Sequence, residues 1–284
     1  MIFNLGSINA DNFYRVAHLP GAGETLAADQ LTQGLGGKGA NMSVAAVRAG
    51  ARVQHIGAVG ADGAWAIQRL RAYGVGVDHI AQTQGATGHA NICIDPQGEN
   101  AIVLFAGANH ALTPDQIETA LAAAGPGDWL MLQNETNAQV AAAQAARAKG
   151  LGVLYAAAPF CEQAVRAALP YLDLLVLNSV EAAQLEAALS QPIAQLVVPD
   201  IVITQGAQGC LWLPENRAER RFAAPRVTAI DTTGAGDTFT GFLAAGLDRG
   251  QGMTQAIETA IRAAALMVTR QGTADVIPAL DELQ

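Results

Sequence analysis

Short runs of apolar, often β-branched residues alternate with alanine-rich stretches along most of the chain, and that alternation admits few architectures. A strand that is apolar along its whole length must be covered on both faces. Helices lying between successive strands supply the cover, so the pattern predicts an α/β fold with a mostly parallel central sheet between two helical layers. The strands are expected at residues 2–8, 53–59, 129–133, 152–157, 174–177 and 200–204. Thr113-Pro114-Asp115-Gln116 supplies an N-cap, a proline at the first helical position and a glutamine placed to close a capping box, which predicts a helix running to about residue 124. Phe239, Phe242, Leu243 and Leu247 recur at helical spacing, as do Ile257, Ile261, Ala264, Ala265 and Val268, so two helices are expected near the C-terminus.

Two segments break this rhythm. Residues 11–35 lack a helical pattern, and residues 86–106 read as a hairpin, with strands at 89–94 and 101–105 around the turn Asp95-Pro96-Gln97-Gly98. Together they are expected to form a small inserted β-sheet lid over a main α/β domain made of residues 1–10, 36–85 and 107–284. No tandem repeat or long linker divides the chain further.

Composition narrows the function. The 284 residues are 51% hydrophobic and 14% charged, enough to bury a large core, yet the longest apolar stretches fall short of the ~20 residues that cross a bilayer. A net charge of −9 opposes binding to nucleic acid or anionic lipid and points to a small-molecule partner. No basic residue precedes Arg15, and Ser7, Asn9 and Asp11 follow closely on the start, so no leader is read and a cytoplasmic protein is expected. Cys93, Cys161 and Cys210 are odd in number and far apart, which suits reduced core residues better than a disulfide framework. Histidines 18, 55, 79, 89 and 110 have no metal-ligand spacing and are expected mostly on the surface or the lid. Of the 16 basic residues only Lys38 and Lys149 are lysines. A phosphorylated ligand would therefore be held largely by backbone amides, helix N-termini, arginines or a metal ion.

Gly34-Leu35-Gly36-Gly37-Lys38-Gly39 satisfies G-x-G-x-x-G, leads into a helical stretch over 41–49, and has Asp62 about 20 residues on. That admits a dinucleotide-dependent oxidoreductase, although the first strand ends well before Gly34. The competing reading is a tight strand-to-helix turn at which backbone and Asn41 approach a polar ligand.

Asp231-Thr232-Thr233-Gly234-Ala235-Gly236-Asp237-Thr238-Phe239 lies between a strand-like stretch at 226–230 and an amphipathic helix beginning near Gly236. Small residues there let successive N–H groups converge on an anion at the positive end of the helix. Asp237, in the first turn, is then placed to accept a hydroxyl proton while the amides stabilise a transferring phosphoryl group. The alternative is that Asp237 caps the helix and the glycines make a turn.

This nonapeptide resembles the signature of the ribokinase family of carbohydrate kinases, and Gly36-Gly37-Lys38-Gly39-Ala40-Asn41 resembles the family's N-terminal glycine signature. The similarity continues, in the family's order, through Gly6-Ser7-Ile8-Asn9-Ala10-Asp11, Gly107-Ala108-Asn109, Asn178-Ser179-Val180-Glu181 and Thr204-Gln205-Gly206-Ala207-Gln208-Gly209. The resemblance implies a three-layer α/β/α fold with a β lid, and transfer of a phosphoryl group from ATP to a primary hydroxyl of a sugar, D-ribose first. Other sugars or nucleosides (a ketohexose, 2-keto-3-deoxygluconate, an adenosine-type nucleoside) are the alternatives within the family.

The resemblance also implies roles. Asp237 would be the general base, with Gly234, Ala235 and Gly236 as the anion hole. Asn9, Asp11, Gly37, Lys38, Asn41 and Glu135 would hold the sugar, and Asn178, Thr204, Gly206 and Gly209 would line the nucleotide. Asn178 and Glu181 would meet Mg²⁺ through water, while Asp231 and Thr233 would belong to a monovalent cation site, probed with K⁺, completed by carbonyls of residues 270–277. A homodimer through the lid is implied as well. Read without the resemblance, Asn178 and Glu181 fit a helix start and residues 204–209 fit a hairpin turn.

Overall fold

The computed structural model of the chain describes residues 1–215 and 217–283. Strand β1 (Ile2–Leu5) leads into β2 (Asn9–Arg15) and β3 (Gln30–Gly36), and helix α1 (Lys38–Arg48) returns to β4 (Val53–Val59), α2 (Ala64–Ala72) and β5 (Gly76–Gln82). A second excursion, β6 (Gly88–Ile94) and β7 (Asn100–Phe105), precedes α3 (Pro114–Ala120), β8 (Trp129–Leu132), α4 (Gln139–Ala148), β9 (Gly152–Ala156) and α5 (Glu162–Ala168). The chain closes with β10 (Leu174–Asn178), α6 (Ser179–Leu189), β11 (Asp200–Thr204), β12 (Cys210–Pro214), β13 (Arg220–Phe222), α7 (Ala235–Asp248) and α8 (Met253–Met267).

Nine strands form one sheet in the order β13-β12-β11-β10-β9-β8-β1-β4-β5. It is parallel from β11 to β5, with β12 and β13 antiparallel at one edge. Side chains alternate across it as the strand period demands. Ile2, Leu174 and Val176 enter the core shared with α1, α2, α7 and α8, while Phe3, Leu5, Leu175 and Leu177 enter the core shared with α3, α4, α5 and α6. The fold is thus the expected three-layer α/β/α sandwich. A separate four-stranded sheet, β3-β2-β6-β7, joins the two excursions by a parallel β2–β6 pairing that runs from Asn9 opposite Gly88 to Arg15 opposite Ile94. This smaller sheet takes in Asn9, Ala10 and Gly36 as well as residues 11–15 and 30–35, with residues 16–29 as the connection between β2 and β3.

Several local expectations are corrected. The first strand stops at Leu5, because residues 6–8 carry the chain from the large sheet into the small one. Residues 226–230 form no strand. They are exposed and pair with no strand, and Ile230 instead donates its amide to the Val268 carbonyl. Thr113 does cap α3, accepting from the Gln116 amide at 3.3 Å. The Gln116 side chain closes no capping box; it donates to the carbonyls of Gly57 (2.7 Å) and His79 (2.8 Å), tying the helix to β4 and β5. Cys210 is buried, but Cys161 is exposed at the start of α5 and Cys93 is half-buried in β6, so the cysteines are not uniformly core residues. His55 breaks the expectation of surface histidines, being fully buried in β4. Among the described residues, no helix is long and apolar enough to cross a membrane.

Candidate active site

The loop 231–234 ends at Gly234, whose left-handed φ of 77° turns the chain into α7. Asp237 in the first turn is 6% exposed, and its Oδ2 accepts from Asn41 Nδ2 at 2.9 Å. The pair exists because α1 and α7 pack unusually closely. A Cβ on Gly241 would lie 2.5 Å from the Cβ of Ala45 and 2.6 Å from the Met42 carbonyl. Gly241 follows Asp237 by four residues and Ala45 follows Asn41 by four, so the tight crossing lies one helical turn below the hydrogen bond on both helices. Among the described residues, the amides of Gly234, Gly236 and Asp237 meet no acceptor, whereas the Ala235 amide donates to the Thr232 carbonyl at 3.3 Å. The expectation for Ala235 is therefore corrected: the turn before the helix already uses its N–H.

The facing wall comes from the small sheet, the start of α1 and the loop after β8. Asn9 is buried, and its Oδ1 accepts from Asn109 Nδ2 at 2.7 Å, which leaves its own amide nitrogen to donate. Glu135 Oε2 accepts from Ser7 Oγ (2.5 Å) and from the Lys38 amide (2.9 Å), so one carboxylate joins the β1–β2 connection to the first turn of α1. Asp11 lies against Gly36, where a Cβ would come within 2.0 Å of the Asp11 carboxylate. Register puts Gly34 and Ala90 beside Asp11, and His89 and Asn91 alternate to the other face of the small sheet. There Asn91 Oδ1 accepts from Asn12 Nδ2 at 3.1 Å.

Charge converges on this cleft. Burial raises the Asp11 carboxyl from the ordinary 3.8 to about 7, with further contributions from Glu135 and Asp237. Asp237 foremost, then Glu135 and Glu181, push the Lys38 ammonium above its ordinary value despite its burial. Burial also raises Glu181, Lys38 acting against it. Four carboxyl groups, Asp11, Glu135, Glu181 and Asp237, and one ammonium thus act on each other across a space rich in hydroxyl acceptors.

The third side lies at the carboxyl ends of β10 and β11, where Asn178 and Thr204 are register partners. Asn178 Oδ1 accepts from the amides of Val180 (2.9 Å) and Glu181 (2.8 Å), and Glu181 Oε2 accepts from the Asn178 amide at 2.8 Å, a complete capping box. Thr204 leads through Gly206 (φ 57°) and Gly209 (φ 96°) into the antiparallel β12, so this loop is also the hairpin turn that spacing alone suggested. Asp231 accepts from the amides of Thr233 (2.9 Å) and Gly272 (3.2 Å), which draws the 270–277 segment onto the loop before α7.

Residues 1–280 match the description of a pfkB family carbohydrate kinase. The chain belongs to that family. Ribokinase from Haemophilus influenzae is 34% identical to it over 293 residues, covering 98% of this chain and 95% of the relative. Ribokinase from Cryptococcus neoformans, solved in complex with ADP, is 31% identical with a TM-score of 0.83 over 99% of this chain and 97% of its own. Arabidopsis thaliana ribokinase, solved with ribose and ATP, is 25% identical with a TM-score of 0.87, covering 99% and 96%. As a pfkB family carbohydrate kinase, the chain is a phosphotransferase with an alcohol group as acceptor.

For this pfkB kinase the dinucleotide reading of residues 34–39 is overturned. The first half of the motif, Gly34–Gly36, is the end of β3, which pairs antiparallel with β2 in the small sheet and is not the first strand of a parallel βαβ unit. The amides that would meet a pyrophosphate are already engaged, Lys38 to Glu135, Gly39 to Ser7 Oγ and Ala40 to the Ser7 carbonyl. Sequence reasoning gave no role to Ser7 or Asn109, although both stand in quoted motifs. Each acts through another residue, and pairwise contacts between distant segments leave no trace in a single sequence.

Proposed function

We propose that this kinase transfers the γ-phosphoryl group of MgATP to the primary 5-hydroxyl of D-ribose by in-line displacement. One observation carries this reading. The Asp237 carboxylate, oriented by Asn41, stands in the first turn of α7 beside the unengaged amides of Gly234 and Gly236. Asp237 accepts the hydroxyl proton as the oxygen attacks, and those amides meet the negative charge that develops on the transferring group. Asn9, Asp11, Gly37, Lys38, Asn41 and Glu135 hold the sugar, the carboxylates accepting from vicinal hydroxyls. Asn178, Thr204, Gly206 and Gly209 line the nucleotide.

The donor set suits the ions this chemistry uses. Glu181 has one oxygen on its cap and a second that the cap does not use, and its carboxylate interacts with Lys38 and Asp237, as a Mg²⁺ position reached through water requires. Mg²⁺ bound there neutralises phosphate charge. Asp231 and Thr233, drawn against residues 270–277, fit a monovalent cation, for which K⁺ is the natural probe.

Residues 11–35 and 86–106 serve as a lid on the sugar site, the remainder being the kinase unit, and the protein works in the cytoplasm as a homodimer through that lid. Exposed Leu31, Ile102, Val103, Leu104 and Phe105 on β3 and β7 support the dimer; a monomer in sedimentation at micromolar concentration removes it. The substrate is tested by ADP release with pentoses, ketohexoses, 2-keto-3-deoxygluconate and nucleosides, each with and without K⁺. D-ribose is expected to give the highest kcat/KM, and faster turnover of a nucleoside or a hexose overturns the assignment.

A further inference from the structure

His55 is a fully buried titratable group that plays no part in the chemistry above. Its Nε2 lies 3.0 Å from the Gly6 carbonyl and its Nδ1 2.8 Å from Ser43 Oγ. A carbonyl only accepts, so Nε2 carries the proton, and in a neutral ring Nδ1 accepts from the Ser43 hydroxyl. Burial lowers the imidazole to about 4 and keeps it neutral. The remaining bonds run in one direction. Gln133 Nε2 donates to Asn4 Oδ1 (2.7 Å), and Asn4 Nδ2 donates both to Ser43 Oγ (2.7 Å) and to the Gly39 carbonyl (2.7 Å).

The two ends of this relay grip two backbones that pass too close for a side chain between them. A Cβ on Gly39 would lie 2.4 Å from Gly6 Cα and 2.4 Å from the Ser7 nitrogen. From that junction project Ser7 and the Lys38 amide, the two donors that fix Glu135, and Gln133 itself lies two residues before Glu135.

We infer that His55 is a positioning residue for the acceptor site: through Ser43 and Asn4 it holds the Gly6 and Gly39 backbones together and so sets where Glu135 and Lys38 stand. The role rests on the sugar-kinase reading, because it concerns the side of the cleft that reading gives to the sugar. Its signature is a split between substrates, since the relay reaches the sugar wall and not the β10–β11 end.

Three variants and one spectrum test it. His55→Phe and Ser43→Ala, checked as folded by circular dichroism, are expected to raise the KM for the sugar by about tenfold, the scale of losing a buried hydrogen bond. The KM for ATP is expected to hold within about twofold by the same reasoning. His55→Gln, which can still donate to the Gly6 carbonyl, is expected to recover part of the loss. Nitrogen-15 spectra of the wild-type protein near pH 6, above the lowered pKa of about 4, are expected to show the neutral Nε2–H tautomer. An Nδ1–H tautomer, an unchanged sugar KM in both folded variants, or an equal rise in the KM for ATP overturns the proposal. If the wild-type protein phosphorylates no sugar, the functional reading falls instead. The tautomer, together with a shift of the Lys38 and Gly39 amide resonances in Ser43→Ala, then still decides whether the relay exists.

Discussion

The two sides of the cleft are built on opposite plans. The side proposed for the acceptor is a cross-linked interior, where Asn9, Asn41 and Asp237 are buried and each is held by a residue from a distant part of the chain or holds one. The side proposed for the nucleotide consists of self-contained local motifs: a capping box at Asn178 and Glu181, a hairpin turn at residues 204–209, and the exposed loop before α7. The difference teaches where selectivity and turnover are set. A buried wall without spare volume discriminates among small polyols, because an unpaired hydroxyl or a displaced carboxylate is costly there. An open side, on which the amides of Gly234 and Gly236 meet no acceptor among the described residues, suits a triphosphate common to many kinases, whose charge and not its outline is recognised.

The largest effect expected is that of Asp237→Asn, which keeps the shape of both sides and removes only the proton acceptor. Its kcat is expected to fall by roughly 10²–10⁴-fold, with sugar and nucleotide binding retained in calorimetry. An unchanged kcat would refute the assigned role.

Next comes a pair of glycine substitutions that sets one side against the other. Gly39→Ala forces a Cβ to within 2.4 Å of the Gly6 backbone, whereas a Cβ at Gly236 meets nothing within 4 Å. Denaturant unfolding is expected to show a loss of about 1–3 kcal/mol for Gly39→Ala, as overpacking costs in a tight core, and a change within about 0.5 kcal/mol for Gly236→Ala. Equal losses would erase the contrast between a closed and an open side.

A third effect is one of sign. Asp11 takes its proton at about 7 in the folded chain against an ordinary 3.8, so between those values the folded state holds more protons than the unfolded one. The stability this site contributes is therefore full below about pH 4 and falls as pH rises towards 7. Asp11→Asn removes that slope. Thermal unfolding of the sugar-free protein is expected to favour the variant more at pH 8 than at pH 5, and a gap that does not move with pH would show that Asp11 titrates normally.

Much of the fold is legible in the residues themselves. The apolar runs at 53–59, 129–132 and 200–204 are strands because a short apolar run covered on both faces has no better place than a parallel sheet. Thr113-Pro114 starts a helix because the cap is local chemistry. Where expectation failed, a distant partner decided. Gln116 had the right position for a capping box but found the carbonyls of Gly57 and His79. Residues 226–230 had strand-like composition but pair with no strand, and Ile230 bonds to the Val268 carbonyl instead. The polar His89 and Asn91 sit next to Ala90 in sequence, and the period of two in a strand turns them away from Asp11.

The sequence by itself determined the layers, the glycine turns and the motif that places Asp237 at the start of a helix, because patterning, φ restrictions and a short motif act over a few neighbouring residues. Tertiary structure decided which amides stay free, which carboxylate faces Lys38, and how a buried histidine comes to lie behind the acceptor side. Those outcomes depend on contacts between segments up to 196 residues apart, as in the bond from Asn41 to Asp237. Hydrogen bonds of that reach are fixed by how closely two helices and two glycine backbones can approach, and no local pattern encodes that distance.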